Sequence, residues 1–401
     1  MKTFKPALLS LCLAAGLLSA TAFAADSVII KPLNNVPAGF IKGVDISTLA
    51  DVEQHGGKFY DQNNVQQDPL VILKHNGVNY VRLRLWVDPQ DSAGQPYGAG
   101  NNNLATTLAL AKRVKAQGMK LLLDFHYSDF WTDPGKQFKP KAWDKMSYDQ
   151  LKTAIHDYTR DTIASFKQQG VLPDMVQIGN EINGGILWPE GKSWGQGGGE
   201  FDRLAGLLNA AIAGLRENLD SPSQVKIMLH LAEGTKNDTF RWWFDEITRR
   251  NVPFDVIGLS MYTYWDGPIS KLQTNMDDIS KRYNKDVIVV EAAYGYGLEN
   301  CDDTDNSFSA KEAQDGGYPG TVQGQADFIR DLMQSIINVP DNRGKGVFYW
   351  EPTWIAVPGA GWATPAGMKY IGESGKDGNA RENQALFDCQ GKVLPSLKSF
   401  N

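Results

Sequence analysis

Cysteine is scarce in this chain of 401 residues: there are three, Cys12, Cys301 and Cys389. That is too few for a cysteine-rich metal cluster or for the disulfide lattice of a small extracellular scaffold. Histidine is nearly as rare, at five, and no paired-histidine motif offers a zinc centre. No basic block occurs, and 40 Lys plus Arg against 46 Asp plus Glu give a formal charge of −6. An acidic chain of this kind is a poor partner for nucleic acid or for an anionic membrane surface. Linkers rich in Pro, Gly and Ser, internal repeats and low-complexity tracts are all missing, so nothing divides the chain into domains. Beyond the first residues no segment is long and apolar enough to span a bilayer.

The first 24 residues read as a signal peptide. Lys2 and Lys5 make a positive start, the stretch from Ala7 to Ala20 is apolar, and Ala22-Phe23-Ala24 has the small-x-small form that signal peptidase cuts. Cleavage near Ala24 leaves residues 25–401, a secreted, soluble chain expected to be a monomer. It loses two lysines with the leader, so its formal charge falls from −6 to −8. Cys301 and Cys389 remain, an even number in an oxidising compartment.

What the chain does have is alternation. Short apolar runs of β type lie at Ile41–Ile46, Tyr80–Leu85, Lys120–Phe125, Met175–Glu181, Val225–His230, Val256–Met261, Val287–Glu291 and Gly346–Glu351. Between them lie stretches of helical period: Leu104–Gln117, Leu151–Gln169, Phe201–Leu219 and Ala326–Ile337. Eight such strands predict a single-domain α/β fold, the (β/α)8 or TIM barrel. The alternative, an open doubly wound sheet, lacks its usual mark, because Gly43-Val44-Asp45 runs on with no glycine-rich phosphate loop.

In a barrel, the C-terminal strand ends converge on one face. Here they carry Asp45, Arg84, Asp124, His126, Asn180, Glu181, His230, Tyr262, Glu291, Trp350 and Glu351. Met175–Ile178 leads to Asn180 and Glu181, and Val287–Val290 leads in the same way to Glu291. Two facing glutamates are what glycosidic cleavage needs: one protonated for the leaving oxygen, one ionised to attack or to activate water. A lone strand-end glutamate would equally serve as an ion-pair partner for Arg82 or Arg84. Most of the eleven tryptophans add to the enzymatic reading. Trp86, Trp131, Trp143, Trp188, Trp194, Trp265, Trp354 and Trp362 fall in segments that follow a strand, where rings can hold flat sugar faces. Asp124, His126 and His230 could ligate zinc, but hydrogen-bonded histidines explain them with less, and no metal or cofactor is expected.

At this point several runs resemble glycoside hydrolase family 53, the endo-β-1,4-galactanases. They are GVDIS near the start, NYVRLRLW, LLLDFHYSDFWTDPGKQFKPKAW, GNEINGGILWPEG, VVEAAYGYG and FYWEP, spanning nearly all of the mature chain. The resemblance implies retaining hydrolysis of β-1,4-galactan, a pectin side chain, with Glu181 as acid/base and Glu291 as nucleophile. It implies that Asn180 bonds the sugar 2-hydroxyl and that Arg84, His126, Tyr262 and Trp350 line the same subsite. Asp45, Trp86, Asp124, His230 and Tyr294 complete the expected substrate-binding set. Some bacterial members hold the loop after strand seven with calcium. Here the two segments that would be joined read LENCDDTDNSFS and LFDCQGKVLPSL, so a Cys301–Cys389 disulfide is expected in its place, although Glu299, Asp302, Asp303 and Asp305 would still suit calcium. The alternatives are a barrel hydrolase acting on mannan or glucan, and a non-catalytic carbohydrate-binding barrel.

Overall fold

The strands form where the sequence runs apolar. In the computed structural model, which describes residues 28–195, 197–375 and 377–401, they are β1 (Ile41–Asp45), β2 (Tyr80–Leu85), β3 (Lys120–Phe125), β4 (Met175–Ile178), β5 (Lys226–Leu231), β6 (Val256–Ser260), β7 (Asp286–Ala292) and β8 (Gly344–Trp350). All pair in parallel, and β1 pairs with both β2 and β8, closing the barrel. The expected (β/α)8 barrel is therefore present, and the open sheet is excluded. The expected signal peptide lies outside the described residues.

Seven helices cross back over the strands: α1 (Pro69–His75), α2 (Leu104–Ala116), α3 (Tyr148–Gln168), α4 (Glu200–Arg216), α5 (Asn237–Arg249), α6 (Ile269–Tyr283) and α7 (Val322–Ile337). The starts of α3 and α7 follow side-chain caps rather than apolar periodicity. Helix α3 begins three residues before the first apolar repeat, because Ser147 and Gln150 form a reciprocal capping box. Thr321 caps α7 by accepting from Gly324 N–H. Among the described residues no helix is long and apolar enough to cross a membrane.

The barrel interior has two levels. The lower holds an apolar plug of Ile41, Tyr80, Leu122, Met175, Met228, Val256, Ile288, Val290 and Phe348. A Cβ on Gly43 would come within 2.4 Å of the Phe348 ring, so this strand position has room only for glycine. Above the plug, Asp45, Arg82, Arg84, Asp124, Gln177 and His230 are all buried. Charged groups at that depth persist only when paired, and this requirement organises the site.

Two backbone departures aim the glutamates. Ile288 and Val290 belong to the plug, so strict alternation would turn Glu291 outward. The register between β6 and β7 instead steps from Leu259–Val289 to Ser260–Glu291. This bulge places an extra residue in β7 and brings Glu291 inward. Strand β4 stops at Ile178, not at Glu181 as expected, because Gly179 (φ 84°) and Glu181 (φ 48°) take left-handed conformations. For a non-glycine residue that conformation is strained by on the order of 1–3 kcal/mol, a feature that clusters at functional sites.

Candidate active site

Arg82 is the hub of the charged level. Its Nη1 donates to Asp45 Oδ2 and pairs with Glu291 Oε1, each at 2.9 Å. Its Nη2 donates to Asp124 Oδ2 and to Asn180 Oδ1, each at 2.8 Å, and its Nε donates to Gln177 Oε1 at 3.2 Å. The planar guanidinium thus fixes side chains from β1, β3, β4 and β7 at once. Glu291 gains a second donor from Tyr262 Oη at 3.2 Å. Glu181 Oε1 accepts from Ser260 Oγ at 2.6 Å. One carboxylate oxygen from each glutamate and one ring nitrogen of His230 lie within 4.8 Å of one another.

The two carboxyls sit in unequal surroundings. Burial and the charge of Glu291 push Glu181 well above the usual carboxylate range, against the Ser260 hydrogen bond and the more distant Arg82. Burial also raises Glu291, but there the Arg82 guanidinium opposes it in direct contact. The pair therefore titrates as a unit in which the first proton is held mainly at Glu181.

Neighbouring groups complete a polar floor. Trp86 Nε1 and Thr132 Oγ1 approach His126 Nδ1 at 3.2 and 2.9 Å, and since an indole N–H can only donate, Nε2–H of His126 faces Asp124 Oδ2 at 3.0 Å. Asn180 Nδ2 donates to Thr132 O at 3.0 Å, so both ends of its amide are oriented. Arg84 bonds Glu351 Oε1 and Ala99 O, each at 2.5 Å, and lies over the rings of Trp86 and Trp131. The walls are aromatic: Trp131, Trp265, Trp350 and Trp362 line the cleft, and the Arg381 guanidinium lies 4.9 Å from the ring centre of Trp265.

Of the expected site residues, Arg84, His126, Asn180, Glu181, Tyr262, Glu291 and Trp350 line this cleft together. Asp45, Asp124 and His230 do not reach its surface; they lie beneath it, wholly buried, and orient the groups above. Trp86 is a correction. It is buried among Phe130 and Trp131 and supports His126 rather than meeting a ligand. Tyr294 is another: the chain turns after β7 so that its hydroxyl bonds Tyr318 O at 2.6 Å while its ring packs on Phe308 and Phe328. Of the remaining tryptophans, Trp354 is core, and exposed Trp194 lies off the cleft beside Lys192.

The sequence reading passed over Arg82 as a site residue, and missed Gln177, Ser260 and Arg381. Arg82 alternates with Tyr80 and Arg84 on the inner face of β2, a signal that was legible, and Ser260 ends β6 as Glu291 ends its own run. Glu181, Glu291 and His230 are close enough to share a cation. Both nitrogens of His230 already face hydrogen-bond partners, however, and a cation there would sit against Arg82. As expected, Cys301 and Cys389 form a disulfide, with Cα atoms 5.7 Å apart, joining the loops that follow β7 and β8. Asp302 accepts from Thr304 N and Asn379 N, committing its oxygens within those loops.

A closed (β/α)8 barrel with two facing carboxylates at its rim, one anchored by arginine and one raised by burial, between tryptophan walls, defines a barrel glycosidase. Comparison with known proteins agrees. The profile described as Glycosyl hydrolase family 53 matches residues 41–400, and the chain belongs to that family. The endo-beta-1,4-galactanase of Bacillus subtilis is 36% identical over 94% of this chain and 89% of its own. The arabinogalactan endo-beta-1,4-galactanase of Thermothelomyces thermophilus is 33% identical over 90% of this chain and 98% of its own. The solved Ignisphaera aggregans GH53 catalytic domain superposes with a TM-score of 0.87 at 43% identity, covering 93% of this chain and 99% of that one.

Proposed function

We propose that this protein is an endo-acting β-1,4-galactanase that cleaves its substrate with retention of anomeric configuration. One observation carries the mechanism: carboxylate oxygens of Glu181 and Glu291 lie within 4.8 Å. Retaining glycosidases hold their carboxyls about 5–5.5 Å apart, whereas inverting ones need roughly 6.5–9.5 Å to admit a water. Glu291, ion-paired with Arg82 and aimed by Tyr262, attacks the anomeric carbon as its carboxylate. Glu181, protonated, delivers its proton to the departing glycosidic oxygen. In the second step Glu181, now a base, takes a proton from the water that displaces Glu291. Asn180, His126, Arg84 and Trp350 surround the sugar on which this occurs.

Galactan as the substrate is supported by the activities in the names of the relatives, and the open cleft with tryptophans on several sides suits internal attack on a polymer. Secretion, and with it access to the galactan side chains of pectin, is supported by the signal-like leader and the disulfide. Release of reducing ends from potato galactan, with β-mannan and cellulose as controls, tests the reading. Activity confined to galactan is expected; activity on mannan or cellulose alone, or on none, overturns it.

A further inference from the structure

Glu181 is held at two points by a chain of hydrogen bonds that leaves it and returns. Its backbone N–H donates to His230 Nδ1 at 3.3 Å, His230 Nε2 lies 2.8 Å from Ser260 Oγ, and Ser260 Oγ donates to Glu181 Oε1 at 2.6 Å. Groups that can only donate set the direction. Arg82 Nε donates to Gln177 Oε1, so Gln177 turns its amino group toward His230 Nδ1 at 3.0 Å. With an amide N–H and a backbone N–H both aimed at Nδ1, that nitrogen accepts and Nε2 carries the hydrogen. Nε2–H therefore donates to Ser260 Oγ, whose single hydrogen goes to Glu181 Oε1.

We propose that His230 and Ser260 are positioning residues for the acid/base: they lock the Glu181 carboxyl and confine its proton to Oε2, the oxygen Ser260 does not engage. The inference rests on the reading of Glu181 as acid/base. Burial, with Arg82 and His126 near, holds the His230 imidazole well below its ordinary pKa, so the ring stays neutral and the chain keeps its direction. Besides His230, the charged and titratable groups facing Glu181 are Glu291 from β7, Asp133 from the loop after β3, Arg82 from β2 and Tyr262 after β6. Against these, the Ser260 hydroxyl supplies a direct donor to the carboxylate that forms when the proton leaves. Its register opposite Glu291 in the β6–β7 bulge brings it to the place where both glutamates are aimed.

The test compares Ser260→Ala, Ser260→Thr and Glu181→Gln, reading kcat/KM against pH on galactan and on a dinitrophenyl β-galactoside, whose leaving group needs no proton. For Ser260→Ala the loss expected is roughly ten-fold or more on galactan and within about two-fold on the aryl substrate. The basic limb on galactan should rise by about one pH unit, the scale of a single hydrogen bond to a charged group. Ser260→Thr, which keeps the hydroxyl, should recover most of both. Equal losses on the two substrates, or an unmoved basic limb, would overturn the proposal while Glu181→Gln still spares the aryl substrate. If Glu181→Gln spares neither substrate, the acid/base assignment itself fails and the inference falls with it.

Discussion

Breaking the Cys301–Cys389 bridge gives a perturbation whose size can be worked out beforehand. The bridge closes 88 residues, for which the chain-entropy relation gives about 15 cal/mol/K, or about 4.6 kcal/mol at 25 °C, with strain and residual structure reducing what is realised. A chain of this length has an unfolding entropy of about 0.8 kcal/mol/K near its midpoint, so the upper bound corresponds to a fall in Tm of about 6 °C. The effect should extend to the substrate. The bridge ties the loop after β7 to the segment that carries Arg381, and Cys301 N–H donates to the Glu382 carboxylate next to it. Arg381 in turn lies against Trp265 and Trp350 in the cleft. Calorimetry of the native, reduced and Cys301→Ser/Cys389→Ser proteins, with galactan kinetics on each, should show Tm lowered by about 3–6 °C and KM raised, with kcat largely kept. Equal Tm values for native and reduced protein, or two thiols titrating in the denatured, unreduced chain, would refute the reasoning.

The tryptophans divide by position: Trp265→Ala, at an exposed cleft wall, should raise KM with little change in Tm. Trp86→Ala, in the core, should lose about 3–5 kcal/mol of stability, and equal Tm losses for the two would contradict the placement. The kcat/KM profile on galactan should be bell-shaped, with the acidic limb from Glu291 and the basic limb from Glu181; a basic limb that persists in Glu181→Gln would count against the assignment. Burial raises Asp266 to about 6. The folded state therefore binds its proton more tightly than the unfolded chain, and that stability, full below about pH 4, is lost as pH rises through 6. Asp266→Asn should accordingly be more stable than the parent above pH 6, by on the order of 1–2 kcal/mol, and not below pH 4; thermal melts across pH 4–8 decide it. Glu291→Ala should be inactive on galactan but form an α-galactosyl azide from an activated β-galactoside and azide, and a β product would contradict a nucleophilic role.

The barrel was legible because parallel strands are buried on both faces and read as short apolar runs, and because polar residues at their ends have no other reason to interrupt such runs. Glu181 and Glu291 stood out on that ground. Their aim did not: the bulge before Glu291 and the left-handed turn at Gly179 and Glu181 are backbone features that alternation and propensity do not encode. Trp86 and Tyr294 were misjudged for a related reason. A ring in a segment after a strand can fold under the rim as readily as over it, and only tertiary packing against Phe130 or Phe328 decides. Arg82 lies two residues before Arg84, short of the strand end, where position alone does not mark it as a site residue. Its role as hub follows from five acceptors brought together from the ends of four strands.

The central claim is that Glu181 and Glu291 act on one glycosidic bond at the separation that leads to retention. Proton NMR of the first sugars released from a β-1,4-galacto-oligosaccharide, recorded before mutarotation, tests it directly. The account predicts that the new reducing end appears first as the β-anomer and drifts toward the equilibrium mixture; a new reducing end that appears first as the α-anomer would contradict it.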